Sequence, residues 1–210
     1  MSFHVEILTE RQQEVLRLLG PLATEKGFYL AGGTAVALLL GHRQSDDFDW
    51  FLEGDLPDPL GLARDLQDAG IPFRTGQIAR GTLYGTVHDV RVSFLEFRYR
   101  LLDSCVPWPE LGCRLAGFKD LACMKLSAIA QRGARKDFLD LYALLREGLT
   151  LADMLGWYQE KFNIQEMGHV LYSLTYFADA EAEPMPRMIW DVDWRQVKKA
   201  VQEAVRGIGS

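Results

Sequence analysis

Residues 28–53 read FYLAGGTAVALLLGHRQSDDFDWFLE, and the fold is decided there. FYLAG predicts a short buried strand, and Gly32-Gly33 after it predicts a sharp turn. TAVALLLG then predicts a short apolar helix with Thr34 at its mouth, and DDFDWFLE a second strand. Side chains alternate along a strand, so Asp47, Asp49 and Phe51 share one face while Phe48, Trp50 and Leu52 share the other. Carboxylates beside such large apolar groups are costly to desolvate unless something positive lies against them. Two on one face sit roughly 6.5–7 Å apart at Cα, near enough for their oxygens to meet on one divalent cation. Glycines let a phosphate chain approach the backbone, and the free N–H groups of a helix start favour an anion. Thr34 adds a hydroxyl donor, so a triphosphate fits between the glycine turn and the aspartates. Taken singly, SDDFD also reads as a solvated turn with a capping role, and Gly-Gly as a plain turn; their order along the chain is more specific. Asp-x-Asp recurs at Asp191 and Asp193 with no glycine turn before it, and there Asp193 is expected to cap the following helix.

Working outward, Thr9 and Gln12 form a capping box ahead of an amphipathic helix through Leu16, Leu18, Leu19 and Leu22. Pro21 is expected to kink that helix and Gly27 to stop it. DPLGLARDLQDAG predicts a helix capped by Asp58, with Pro59 in its first turn and Gly70 at its end. Residues 73–100 alternate as strands, and 82–87 and 90–97 are separated only by His88-Asp89, the spacing of a tight hairpin. A loop with Pro107 and Pro109 follows, after which the pattern is wholly helical. Two helices meet near Gly133, and more are expected near 151–162, 165–178 and 194–206, with FADAEAEPMP as a solvated loop. The expected class is α+β: an α/β core over 1–116 with a mixed sheet, and a helical region over 117–210 packed on it.

The 210 residues are 48% hydrophobic and 25% charged, ample for one sizeable globular core. No stretch approaches the roughly 20 apolar residues of a membrane span. No basic segment leading into an apolar run opens the chain, so no secretory signal is expected. Three cysteines without a CxxC, and four scattered histidines, predict neither a disulfide framework nor a zinc cluster; the expected setting is a reduced cytoplasm. A net charge of −6 excludes gripping nucleic acid through the global field, so an RNA partner needs a local basic patch. Arg74, Arg80, Arg98 and Arg100 lie along the strand region, as an acceptor groove or as scattered surface arginines; both interpretations stay open.

GGTAVALLLGHRQSDDFDWF resembles the start of the nucleotidyltransferase AbiEii/AbiGii toxin family, part of the DNA polymerase β-like nucleotidyltransferase superfamily. The pattern is Gly-Gly-Ser/Thr, then Arg-x-Ser-x-Asp-x-Asp, and Gly32, Gly33, Thr34, Arg43, Ser45, Asp47 and Asp49 hold its positions. A later helical signature, Lys, then Arg, then Lys/Arg-Asp-x-x-Asp, is matched by Lys125, Arg132, Lys136, Asp137 and Asp140. The resemblance covers residues 28–145. It implies Mg²⁺- or Mn²⁺-dependent transfer of a nucleoside monophosphate from an NTP to an acceptor hydroxyl. Asp47 and Asp49 would hold the metal, Gly32, Gly33 and Thr34 would cradle the phosphates, and Arg43, Ser45 and Lys125 would offset charge on the leaving pyrophosphate. Lys125 and Asp137 would join the aspartate pair as catalytic groups. The resemblance further implies tRNA or another RNA as acceptor, and a toxin with a cognate antitoxin or a role in phage defence.

One position departs. The third carboxylate that the superfamily places on a neighbouring strand falls at Ser93, and Glu96 has the wrong strand parity to replace it. This keeps open a module that binds nucleotide or a partner without turnover, alongside a small-molecule nucleotidyltransferase like the antibiotic-modifying enzymes. In the helical signature, Lys125 and Arg132 are seven apart and project from one face. Lys125 lies in the apolar run LACMKLSAIA, where burial without purpose is costly, so a phosphate contact is expected. For Asp140 an ion-paired helix corner is the expectation.

Overall fold

In the computed structural model, which describes residues 3–208, the chain divides into two compact units. Residues 8–35 and 45–117 form an α/β unit; residues 3–7, 36–44 and 118–208 form a helical unit. Compared with a single cut after residue 116, the second half of the apolar helix and the loop after it group with the C-terminal helices.

The α/β unit begins with helix α1 (Glu10–Glu25). Its Thr9–Gln12 capping box forms, and the helix runs on through Pro21. Strand β1 (Phe28–Ala31) leads into α2 (Gly32–Leu40), so Gly32 and Gly33 are the first residues of a helix and not a separate turn. Then come β2 (Asp47–Glu53), α3 (Pro59–Asp68), β3 (Phe73–Ala79), β4 (Thr82–Val87) and β5 (Val90–Phe97). His88 and Asp89 both take positive φ, 47° and 64°, as a two-residue hairpin turn between β4 and β5 requires. The proline segment expected as a loop instead holds β6 (Val106–Trp108) and β7 (Cys113–Leu115). Three-residue strands carry no readable periodicity; β7 exists because β1 offers it a free edge, pairing Leu30 with Leu115. Pro107 is tolerated because β6 is an edge strand.

The seven strands form one mixed sheet in the order β3-β4-β5-β2-β1-β7-β6, with β2–β5 and β1–β7 parallel. One face is apolar and buried: Phe73, Leu83, Val87, Val92, Phe94, Phe48, Trp50, Phe28 and Leu30. Phe94 sits at its centre, 5.1 Å from the Phe28 ring and 6.2 Å from that of Phe73. Helices α1 and α3 pack on the sheet with Val15, Leu16, Leu19, Leu62 and Leu66 buried. Each such side chain contributes about 1.5–3 kcal/mol on leaving water. The other face carries the acidic pair.

In the helical unit, α4 (Phe118–Gln131) lies against α5 (Arg135–Arg146), α6 (Leu151–Phe162) and α7 (Gly168–Thr175). The amphipathic α9 (Trp194–Ile208) also meets α5, α6 and α7, burying Val197 and Val201. Asp193 accepts from the Gln196 N–H at 2.9 Å and so caps α9. The acidic stretch expected as a loop contains a short helix, α8 (Ala178–Ala182), because Arg135 donates to the Ala180 carbonyl at 2.8 Å and Ala180 is buried. A buried Lys161–Asp120 ion pair at 2.6 Å ties α6 to α4. Residues 187–190 form a strap along residues 42–44, with Gln44 N–H donating to the Arg187 carbonyl at 2.8 Å and Ile189 N–H to the His42 carbonyl at 2.9 Å. Among the described residues no helix is long and apolar enough to cross a membrane.

Candidate active site

Asp47 and Asp49 stand on one face of β2, near its start, both partly exposed. Register places Asp49 between Ala31 of β1 and Ser93 of β5, and Asp47 beside Arg91. The first turn of α2 comes directly against them. A Cβ built at Gly32 would lie 3.0 Å from Asp49 Oδ2, and Gly32 has φ +67°, so only glycine allows this approach. The positive end of a short helix therefore faces a carboxylate.

A belt of hydrogen bonds holds this corner. The Thr34 hydroxyl is buried, 2.7 Å from Ser45 Oγ, and also donates to the Asp47 carbonyl. In this structure Thr34 and Ser45 thus spend their polar atoms inside the protein, fastening the start of β2 to the start of α2. Gln12 completes the belt. Its side-chain oxygen accepts the Thr9 N–H at 2.9 Å while its amide nitrogen donates to the Ser45 carbonyl at 2.6 Å. The sequence showed Gln12 as a cap; that it is Gln rather than Glu was the signal for the second bond, since a carboxylate has no N–H to give.

The positive charge that the protein itself sets near Asp47 is Arg91, with Nη2 3.7 Å from Oδ2. Its side chain is 70% exposed, so the pairing contributes little. Ser93 stands in register with Asp49, at the position expected for a third carboxylate. Glu96 is turned to other work, accepting the Leu56 N–H at 3.2 Å and pairing with Arg98 at 3.3 Å. Among the described residues no group of three or more His, Cys, Asp or Glu side chains is placed to hold a metal. Two hard carboxylates at a partly exposed rim nonetheless suit Mg²⁺ or Mn²⁺, which commonly take one or two protein carboxylates and complete their shell with phosphate oxygens and water.

The helical signature forms a second acidic cluster, within the helical unit. Asp140 is fully buried; Arg43 grips it with Nε at 2.7 Å and Nη2 at 2.9 Å, Lys125 reaches it at 2.6 Å and His42 Nε2 at 2.7 Å. Asp137, also fully buried, takes Lys125 at 3.1 Å and Arg132 at 2.8 Å. Burial alone would raise both carboxyls. For Asp140 the charges of Arg43 and Lys125 more than offset burial and hold it well below the usual range. Lys125 and Arg132 likewise hold Asp137 down. Burial pushes the His42 imidazole below its ordinary value despite the pull of Asp140. Neutral His42 donates through Nε2, leaving Nδ1 without a hydrogen-bond partner among the described residues. The ion-paired corner expected for Asp140 is present; Arg43 and Lys125 are both buried within it. His42 gave no sequence signal of its own.

The fold is that of the nucleotidyltransferases. MenT4, a nucleotidyltransferase toxin from Mycobacterium tuberculosis, superposes with a TM-score of 0.57 at 14% identity, over 95% of this chain and 82% of its own. JHP933 from Helicobacter pylori gives 0.55 at 16% identity, over 96% and 93%. No family model matches the chain. An uncharacterised protein of Aquifex aeolicus, aq_aa25, is 36% identical over 203 residues, 95% of this chain and 96% of the relative. The chain belongs to the same family as that protein.

Proposed function

We propose that the chain is a Mg²⁺-dependent nucleotidyltransferase of the AbiEii-like kind, moving a nucleoside monophosphate from an NTP to an acceptor hydroxyl. The observation that carries this is the pair Asp47 and Asp49 side by side on one strand face, with the Gly32 backbone brought against Asp49. When bound, the cation would supply positive charge between the two carboxylates and screen the triphosphate. Asp47 and Asp49 are the residues that hold it. Gly32 and Gly33 admit the phosphate chain to the N–H groups that open α2. Thr34 and Ser45 act as positioning residues, keeping the aspartates where the helix start can share the phosphate with them. Lys125 has three N–H donors, of which Asp137 and Asp140 engage two. Asp137 and Asp140 hold Lys125 in place within the helical unit. A tRNA or other RNA as acceptor, a cognate antitoxin as partner and a reduced cytoplasmic setting belong to the same proposal.

The test is transfer of label from α-labelled NTPs, with Mg²⁺, to total RNA or protein. Mg²⁺-dependent labelling that disappears in Asp47→Ala is expected; no labelling from any NTP, with wild type and Asp47→Ala alike, would overturn the reading. The serine in register with Asp49 favours one alternative, a module that binds NTP without turnover. Calorimetric NTP binding with no pyrophosphate release selects it.

A further inference from the structure

We infer that the outer face of β3, β4 and β5, continuing outward from the aspartate pair, is the binding platform for a single-stranded nucleic-acid acceptor; this rests on the nucleotidyl-transfer reading of the same site. Strand register writes two rows across the sheet. One runs Gln77, Tyr84, Ser93, Asp49, and the other Arg74, Thr86, Arg91, Asp47. Directly paired residues share a face, so both rows stand on the face that carries the carboxylates. Arg74 and Gln77 are three apart and in a regular strand would point oppositely. The register shift between Thr75 and Gln77 restores them to one side.

The face is open. Tyr84 is 42% exposed, and the Arg74 and Arg91 side chains are 82% and 70% exposed. Arg74 approaches Asp89 at 3.8 Å and Arg91 approaches Asp47 at 3.7 Å, solvent-exposed pairings that compete weakly with a phosphate. Sidedness assigns the occupant. Toward β1, Asp49 meets Ala31 and the α2 start, the side assigned to the triphosphate. The acceptor hydroxyl must then arrive from the β5 side, where Ser93 is small and three further strand positions extend about 14 Å to β3. A planar phenol ring in one row and two guanidiniums in the next, in a chain of net charge −6, are a local provision for a base and its phosphates.

Anisotropy of a short fluorescein-labelled RNA of mixed sequence, without NTP, tests this. Tyr84→Ala should bind roughly 5- to 150-fold more weakly, with Tyr84→Phe restoring most of the affinity. The double variant Arg74→Ala/Arg91→Ala should lower the slope of log affinity against log salt by about 0.7 per arginine. Tyr84→Phe and Arg91→Lys keep the surface and guard against misfolding. RNA binding that ignores all these changes, or no RNA binding while label goes to protein, overturns the platform and leaves nucleotidyl transfer standing. RNA held through Tyr84 and the arginines, with no transfer from any NTP, supports the platform and removes the enzyme.

Discussion

The chain carries two acidic pairs treated in opposite ways. Asp137 and Asp140 are fully buried, and Arg43, Lys125, Arg132 and His42 answer their charge from within the protein. Asp47 and Asp49 lie at a partly exposed rim, facing a helix start and the exposed Arg91. A carboxylate buried among internal cations is part of the scaffold; one at a partly exposed rim can also meet something from outside. Asp193, which caps α9, is a third case, satisfied by a backbone N–H.

The sharpest way to break this contrast is exchange. Asp47→Asn and Asp49→Asn should each reduce nucleotidyl transfer on the order of 10³-fold, with thermal unfolding little changed. Asp140→Ala should do the reverse, lowering stability in urea by about 3–5 kcal/mol because Arg43 and Lys125 lose their shared partner. If Asp49→Asn unfolded the chain and Asp140→Ala did not, the two roles would be exchanged.

Acidity separates the pairs more gently. His42 is held below its ordinary value of 6.5, so its neutral form favours the fold. The stability it contributes is complete above that pH and is lost as pH falls through the lowered value, at no more than about 1.4 kcal/mol per pH unit. Asp137 and Asp140 are also depressed, so their contribution is complete above about pH 4 and is lost further into acid. Stability measured against pH should fall in two stages. His42→Gln, which keeps a donor for Asp140, should remove the upper stage alone. The smallest predicted effect is at the belt: Gln12→Glu keeps the cap but faces the Ser45 carbonyl with an oxygen, costing about 1–3 kcal/mol and reducing transfer.

Much of this could be read in advance where local chemistry dictates structure. The Thr9 cap, the Asp58 cap, the His88-Asp89 hairpin and the helix junction at Gly133 depend on neighbours in sequence, and each is present. The two short strands around Pro107 and the helix in FADAEAEPMP were missed because they form against partners distant in the chain. The place of Ser93 was expected from the family resemblance, and the register sets it beside Asp49. By contrast, the engagement of Thr34, the second bond of Gln12, and the three cations and the imidazole around Asp137 and Asp140 depend on contacts across the fold, or on which atoms of a side chain are already taken. Residue type suggests what a group can do; only three dimensions show which of its bonds are already made.

The strap at 187–190 has a consequence for how the protein is made. The loop at residues 42–44 leaves the ribosome well before residues 187–190, its backbone partners. A nascent chain can complete its sheet with that loop still unset. A chain interrupted before residue 187 would therefore hold its sheet strands while the backbone of His42 and Gln44 lacked these partners.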